Sequence, residues 1–491
     1  MLSVQEIKKI IDNDVVSEKK RFAAEGQRYY EGDHDIKKYR LFYYNADGNL
    51  VEDTTRSNVK ICHPFFTELS DQLAAYMLSF KDNPIRAKET AEGLQDLLDT
   101  YFDDEFWAEI GDLITGAYSK GFEYIYGYKN EDNRLVFQCA DSMGVIEVRE
   151  NDTDDGCAYV VYWYIDRIEK GKKAIKRIQV WSDKETAYFV QSGKDGKIEV
   201  DDSVPVNPRP HVIFTDEKGK RMGYGLGFIP FWRLDNNKKQ FSGLKPIKAL
   251  IDDYDIMQCG LSNNLADFDT PLHVVKGFEG HGEEGLKELQ QNLKTKKIIG
   301  VDSEGDVEIR TVDVPYEARK VKADEDEKNI YRFGMGLSMI GLKDTSATTN
   351  IAIKAAYSLL EMKANKTEKR LRKLLKQIIK VVLAEINQEN GTDFQISNIY
   401  FDFERSIMTN ETENIQNKKT EAETRQIEVN TILNLASTLD DETIIRTLCD
   451  VLDLDYEEIK SKIPKPEDDL TGVQSALNSA PTEGVLPIET E

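Results

Sequence analysis

The chain has 491 residues, 40% of them hydrophobic and 31% charged, more than one ordinary hydrophobic core accommodates, so several sub-domains are expected. Its 89 acidic and 65 basic side chains give a formal net charge of -24. That balance excludes a simple tight DNA binder, because phosphate neutralisation by lysine and arginine supplies most non-specific affinity, but it does not exclude a protein that encloses DNA without gripping it.

Residues 1–32 have apolar side chains at helical spacing (Leu2, Val4, Ile7, Ile10, Ile11), and the pattern breaks at Gly32 and Asp33. Helices are predicted over about Pro64–Phe80 and Ala91–Lys120. The period then shortens. Phe122–Tyr128, Leu135–Cys139, Tyr159–Asp166, Ala174–Trp181 and Ala187–Gln191 are short segments rich in Val, Ile, Tyr and Phe, parted by turn clusters, which predicts an antiparallel meander. From Phe241 to Thr270 a long amphipathic helix is expected, with Leu244, Ile247, Leu250, Tyr254, Met257, Leu261, Leu265 and Phe268 as its apolar stripe. Lys245, Lys248, Asp252, Asp255, Asn263 and Asp267 fall on its polar face.

A small αβ insert follows: a strand at Leu272–Gly277, a helix at Gly285–Lys294, and two more strands in KIIGV and VEIRTVDV. Tyr316–Phe333 reads as a helix so polar that it needs neighbours. Gly334–Asn350 is a glycine-containing loop, and Ile351–Asn387 gives the longest helical signal in the chain. A strand at Asn398–Phe403 and a charged helical block over about Asn410–Ile463 complete the ordered part. The Pro-, Ser-, Thr- and acid-rich tail is expected to be disordered.

Motifs for chemistry are absent. There is no G-x-x-x-x-G-K-[ST]; Gly223–Gly227 precedes a strand-like segment, and Gly334–Gly341 lies between helices without a Lys-Thr, so both read as turns or connections. The five histidines show no ligand spacing, and Asp450–Asp455 lacks the glycine of a calcium loop. The five cysteines form no CxxC pair and read as free thiols in a reducing compartment. No cofactor, metal or catalytic residue is expected. No signal-peptide core or membrane-length apolar run is seen, so synthesis in the cytosol is expected.

Several segments resemble, in order, the portal proteins of tailed phages, in particular the SPP1-like (Gp6-type) group. These are YYEGDHDI (Tyr29–Ile36), NVKICHPFFTELSDQLAAYMLSF (Asn58–Phe80), the stretch Ile229–Gly277 and DTSATTNIAIKAAYSLLEMKANKTE (Asp344–Glu368). Within Ile229–Gly277, Asn236–Asn237, LIDDYD (Leu250–Asp255) and SNNLADF (Ser262–Phe268) carry most weight. Thr349–Asn350 stands where the family often has Ser-Gly.

The resemblance implies an α+β portal fold with an α/β wing, a two-helix stem, a small αβ clip and a helical C-terminal crown. The implied boundaries are 1–240 for the wing, 241–270 and 315–333 for the stem helices, and 271–314 for the clip. The tunnel loop would be 334–350, the long helix and return to the wing 351–404, the crown 405–463 and the tail 464–491. The implied function is structural: a ring, usually of twelve subunits, at one capsid vertex, through which double-stranded DNA is packaged and ejected without sequence readout. Terminase, scaffold, major capsid protein and a head-completion adaptor would be its partners. Twelve copies at -24 each would repel DNA from the walls, leaving separated bases for transient phosphate contacts.

Candidate DNA-facing residues are Lys343, Asp344, Thr345, Ser346, Thr348, Thr349 and Asn350 in the loop and Arg319, Lys320 and Lys322 on the second stem helix; for the last three, ordinary solvated charges or ion pairs are the plainer alternative. Glu283, Glu284, Lys287 and Lys294 are candidates for the clip's docking surface. Deleting Gly334–Asn350 is expected to leave rings but block packaging. The alternative functions are a soluble multi-domain phage enzyme, such as a nuclease or modification enzyme, and a virion protein without a channel.

Overall fold

A computed structural model describes residues 2–452 except 46, 55, 131–132, 150–156, 170–172, 194–195, 216–220, 269–271, 277–281, 283, 286, 288–305, 311–315, 339–349, 406–410 and 436–439; residue 456 is also described. The chain divides into two compact units. The first comprises Met1–Ser346 and Ala352–Ile407, the second Ala347–Ile351 and Met408–Glu491.

The first unit begins with helices α1 (Val4–Val15) and α2 (Glu18–Tyr30). Ser3 and Glu6 form a capping box at the start of α1, and Ser17 caps α2. That second cap is why the continuous helix expected over residues 1–32 is broken at Val16–Ser17. A hairpin, β1 (Phe42–Tyr44) and β2 (Leu50–Glu52), precedes α3 (Phe65–Met77), β3 (Ile85–Ala87), α4 (Leu94–Tyr101) and α5 (Asp104–Lys120). Gly121 closes α5 at φ 97°, and a Cβ there would collide with the Gln240 backbone, so only glycine fits.

The strands follow: β4 (Phe122–Lys129), β5 (Leu135–Ala140), β6 (Val145–Val148), β7 (Tyr159–Glu169), β8 (Lys173–Trp181), β9 (Glu185–Ser192), β10 (Ile198–Val200), β11 (Arg209–Pro210), β12 (Val212–Thr215), β13 (Arg221–Tyr224) and β14 (Phe231–Asp235). The predicted meander is present as the antiparallel run β6-β7-β8-β9-β10, with β11 added beside β9. β4 and β5 leave it to form a separate sheet with β14, in the order β14-β4-β5. Ile7 and Ile11 of α1 pack into the core of the larger sheet.

Then come α6 (Lys248–Phe268), the antiparallel pair β15 (Leu272–Lys276) and β16 (Asp306–Arg310), α7 (Tyr316–Gly334) and α8 (Asn350–Asn390). β17 (Ile399–Phe401) pairs with β3. The largest core gathers Phe66, Leu69 and Leu73 of α3, Ile110, Leu113 and Ile114 of α5, and Leu371, Ile378, Val382 and Ile386 of α8. Mixed helix and antiparallel sheet make this the α+β class that the sequence predicts.

In the second unit α9 (Glu411–Asn434) and α10 (Asp441–Leu452) pack on one another. Asp440 caps α10 through the Thr443 N–H at 3.1 Å, and Ile444 and Cys449 are buried.

Candidate functional site: a strapped helix pair and its anchored loop

Three of the segments that carry the family resemblance, Tyr29–Ile36, Asn58–Phe80 and Ile229–Gly277, meet around α6. The chain reaches it through a turn held by side chains rather than by an early helical turn. Asn236 Nδ2 and Asn237 Nδ2 donate to Phe241 O at 2.9 and 2.6 Å, while Asn237 Oδ1 accepts from the Lys239 and Phe241 N–H groups. Gln240 adopts φ 57°, and Gly243 lies against the Tyr118 ring where a Cβ would not fit. The helix therefore starts at Lys248, later than the apolar period from Phe241 predicts.

Along α6 runs an extended strap, Ser57–His63. The Ser57 N–H donates to Asp267 Oδ1 at 3.1 Å, Val59 N–H to Asn263 Oδ1 at 2.7 Å, Ile61 N–H to Cys259 Sγ at 3.2 Å and His63 N–H to Asp255 Oδ1 at 3.0 Å. Every second strap residue meets every fourth helix residue, in antiparallel sense. The match is geometric: two extended residues advance about 6.6 Å and four helical residues about 6 Å.

Asp255 is the buried end of this ladder. It is fully buried, as is His34, whose Nδ1 lies 2.6 Å from Asp255 Oδ2; His63 Nδ1 lies 2.7 Å from Oδ1. Burial alone would raise the carboxyl's pKa, but the hydrogen bonds from His34 and His63 outweigh it and hold it below the ordinary value. The sequence places Asp255 on a polar face; the structure buries it beneath the strap. Conversely Leu265, on the predicted apolar stripe, is 55% exposed. The other aspartates of LIDDYD are also committed. Asp252 accepts from Tyr29 Oη and, at 2.7 Å, from Lys248, which also reaches Asp35 at 2.7 Å. Burial opposes ionisation of Asp35, yet Lys248 and Arg28 draw its pKa down to about 2.

α7 packs beside α6. Lys322 Nζ reaches Asp253 at 2.7 Å and also pairs with the buried Asp326, and these two bonds raise its pKa. Arg319 donates to Met257 O at 3.4 Å, while Lys320 is exposed. Of the three stem candidates, two are thus engaged within the helix pair. Phe65 sits edge-on to Tyr254 and Tyr331, and Tyr331 Oη donates to Glu68 at 2.6 Å.

The residues closing α7 are locked into the core. Gly334 and Gly336 press on Leu69, Leu337 is buried, and its N–H donates to Gln72 Oε1 at 2.9 Å. Lys363 of α8, buried, donates to Gly334 O at 3.1 Å and Leu69 O at 3.3 Å, with its ammonium 4.4 Å from the Tyr118 ring centre. Burial pushes its pKa down to about 7. Gly334–Leu337 is therefore packed interior, whereas the sequence assigns it to a flexible connection. Deleting all of Gly334–Asn350 would damage the core as well as the loop.

Among the other candidates, Lys343, Asp344, Thr345, Ser346, Thr348 and Thr349 lie outside the described residues, as do Glu283 and Lys294. Asn350 is the first residue of α8; Glu284 and Lys287 are helical and exposed. The predicted strand KIIGV and the tail after Pro464 also lie outside the described residues. Sequence reasoning missed the strap and Lys363. The strap's one signal was the i, i+4 series of acceptors Asp255, Cys259, Asn263 and Asp267. All five cysteines are free, no group of His, Cys, Asp and Glu that could hold a metal occurs among the described residues, and no described helix is long and apolar enough to cross a membrane.

The sequence profile of the family described as "Phage portal protein, SPP1 Gp6-like" matches residues 9–462. The portal protein of Bacillus phage SPP1 is 24% identical over 394 residues, covering 80% of this chain and 75% of that protein. The portal protein of Clostridium phage phiCD119 is 25% identical over 438 residues, covering 84% and 88%. The role of such proteins is structural and not enzymatic, as an oligomeric ring at the capsid portal vertex that serves DNA packaging. The strapped helix pair, the packed start of its loop and a match across nearly the whole length lead to one conclusion: this chain belongs to the SPP1 Gp6-like family of phage portal proteins.

Proposed function

We propose that α6 and α7 are the stem of the portal, that β15 and β16 with the residues between them are its clip, and that the loop after Leu337 reaches the DNA channel. The observation that carries this reading is the pairing of two long helices. They are joined at one end through an antiparallel β pair and fixed at the other by the interior anchor Gly334–Leu337. Residues 1–240 and 351–404 would be the wing, and 405–463 the crown. Twelve copies would close the ring. The clip would receive the terminase and later a head-completion adaptor, while the wing would meet scaffold and major capsid protein.

In this reading Lys320, exposed on α7, and Lys343 in the loop make brief phosphate contacts inside an acidic channel. Lys322 holds the helix pair together. The test is a deletion confined to residues 339–349, which spares the anchor. Negative-stain microscopy should still show annular particles with a central hole, and packaging assays should yield empty heads. DNA-filled heads from that variant would overturn the role of the loop.

A further inference from the structure

Among the described residues, no core covers the hairpin β1–β2. All six of its strand residues are exposed, on both faces: Phe42, Tyr44 and Leu50 on one, Tyr43 and Val51 on the other. Phe42 is 51% exposed, Tyr44 74% and Leu50 58%. A two-stranded hairpin is marginal in water by itself. This one is nevertheless carefully closed. Asn45 Oδ1 accepts from the Asp47 and Asn49 N–H groups at 3.1 and 2.8 Å, Gly48 takes φ 76°, and Arg40 pairs with Glu52 at 2.8 Å.

We propose that this hairpin is the arm by which one subunit grips the next copy of the chain in the ring. The proposal rests on the ring reading above, and three features favour a second copy as the occupant. The first is area: three aromatic side chains of ~150–250 Å² each, about half exposed or more, offer roughly 300 Å² of apolar surface before Leu50 and Val51 are added. That is a large share of the ~800 Å² that each partner brings to a stable interface, and such a patch is unusual on a protein that remains alone. The second is charge. From Arg40 to Glu52 the charged side chains are Arg40, Asp47 and Glu52, and Arg40 pairs with Glu52. The arm thus brings little net charge to a contact with another copy of this acidic chain, so its apolar side chains are not opposed by strong repulsion. The third is position: the arm leads directly into the strap on α6, so a pull on it is transmitted to the stem. A contact between the arm and a different patch on the next copy is heterologous, the kind that closes rings.

The test uses the full-length protein. A benzoylphenylalanine photoprobe in place of Tyr44, irradiated in a mixture of isotopically light and heavy chains, should give a ladder of covalent multimers whose cross-links join light to heavy chains. The triple variant Phe42→Ser/Tyr44→Ser/Leu50→Ser should keep the far-UV circular dichroism and thermal transition of the dissociated subunit, because no core is opened. The concentration at which it forms rings, read by sedimentation velocity, should rise at least tenfold. Rings at the wild-type concentration, or a Tyr44 probe that captures no second copy while rings are present, would overturn the proposal. So would capture of another head protein in its place. Failure of the wild-type chain to form annular particles would instead overturn the ring reading, and this proposal with it.

Discussion

Replacing Asp255 tests the strap most directly. Asp255 receives three hydrogen bonds, from His34 Nδ1, His63 Nδ1 and the His63 backbone N–H. Asp255→Leu removes every acceptor and orphans these donors, of which His34 is fully buried. Each buried donor left unpaired costs about 1–3 kcal/mol, and three lose their acceptor, so a loss of about 3–5 kcal/mol is expected. Asp255→Asn is milder. Its Oδ1 still accepts from His63, but its Nδ2 needs an acceptor at His34 Nδ1, which moves the His34 proton to Nε2, a buried nitrogen with no hydrogen-bond partner among the described residues. That orphan costs about 1–2 kcal/mol.

The assay is urea unfolding of the full-length chain at fixed concentration, since assembly shifts apparent stability. The pH dependence adds a sign. Asp255 titrates below the ordinary aspartate value of 3.8 when folded, so its contribution is present above that value and lost as pH falls through the folded pKa. Wild type should lose this increment in acid, and Asp255→Asn should not. A Leu variant within about 1 kcal/mol of wild type, or less harmful than Asn, would refute the reasoning.

Residue-resolved hydrogen exchange should alternate along the strap: the amides of Ser57, Val59, Ile61 and His63 slow, those of Asn58, Lys60 and Cys62 fast; uniform exchange would remove the ladder. Gly336→Ala should cost about 1–3 kcal/mol through the clash with Leu69, and Leu69→Val should recover part of it in a double-mutant cycle. Lys363 favours its neutral form when folded, with a pKa near 7 against 10.5 unfolded, so the unfolded chain binds the extra proton and stability should rise as pH goes from about 7 to 10. In Lys363→Met that rise should flatten, and a variant with the wild-type slope would show that the amine is not buried in solution.

Much of the helical frame was legible because burial imposes its period on the residues. α7 ends one residue beyond its predicted limit, and α8 extends the predicted span only at its ends. The start of α6 was not legible, because the Asn236–Asn237 turn holds Phe241 and its neighbours through side-chain bonds that leave an apolar period intact. Three-residue strands such as β3 and β17 carry no periodic signal of their own and exist because distant segments meet. Asp255 and Lys363 look like the outer face of amphipathic helices. What buries them, the strap over one and the Gly334–Leu337 turn over the other, comes from elsewhere in the chain.

The ladder between strap and α6 has a further consequence. Its two rulers differ by about 0.6 Å per rung, so they stay in step for only a few rungs, as on a vernier scale. Sliding the helix to the next alignment means moving it by a whole four-residue step of about 6 Å, with nothing stable between. The acceptors are also unlike one another: carboxylate, thiol, amide, carboxylate. A one-step slip would bring Cys259 opposite the His63 N–H and carry Asp255 away from His34. The helix is thus held by a detent with a single keyed position, which resists axial creep along its mount.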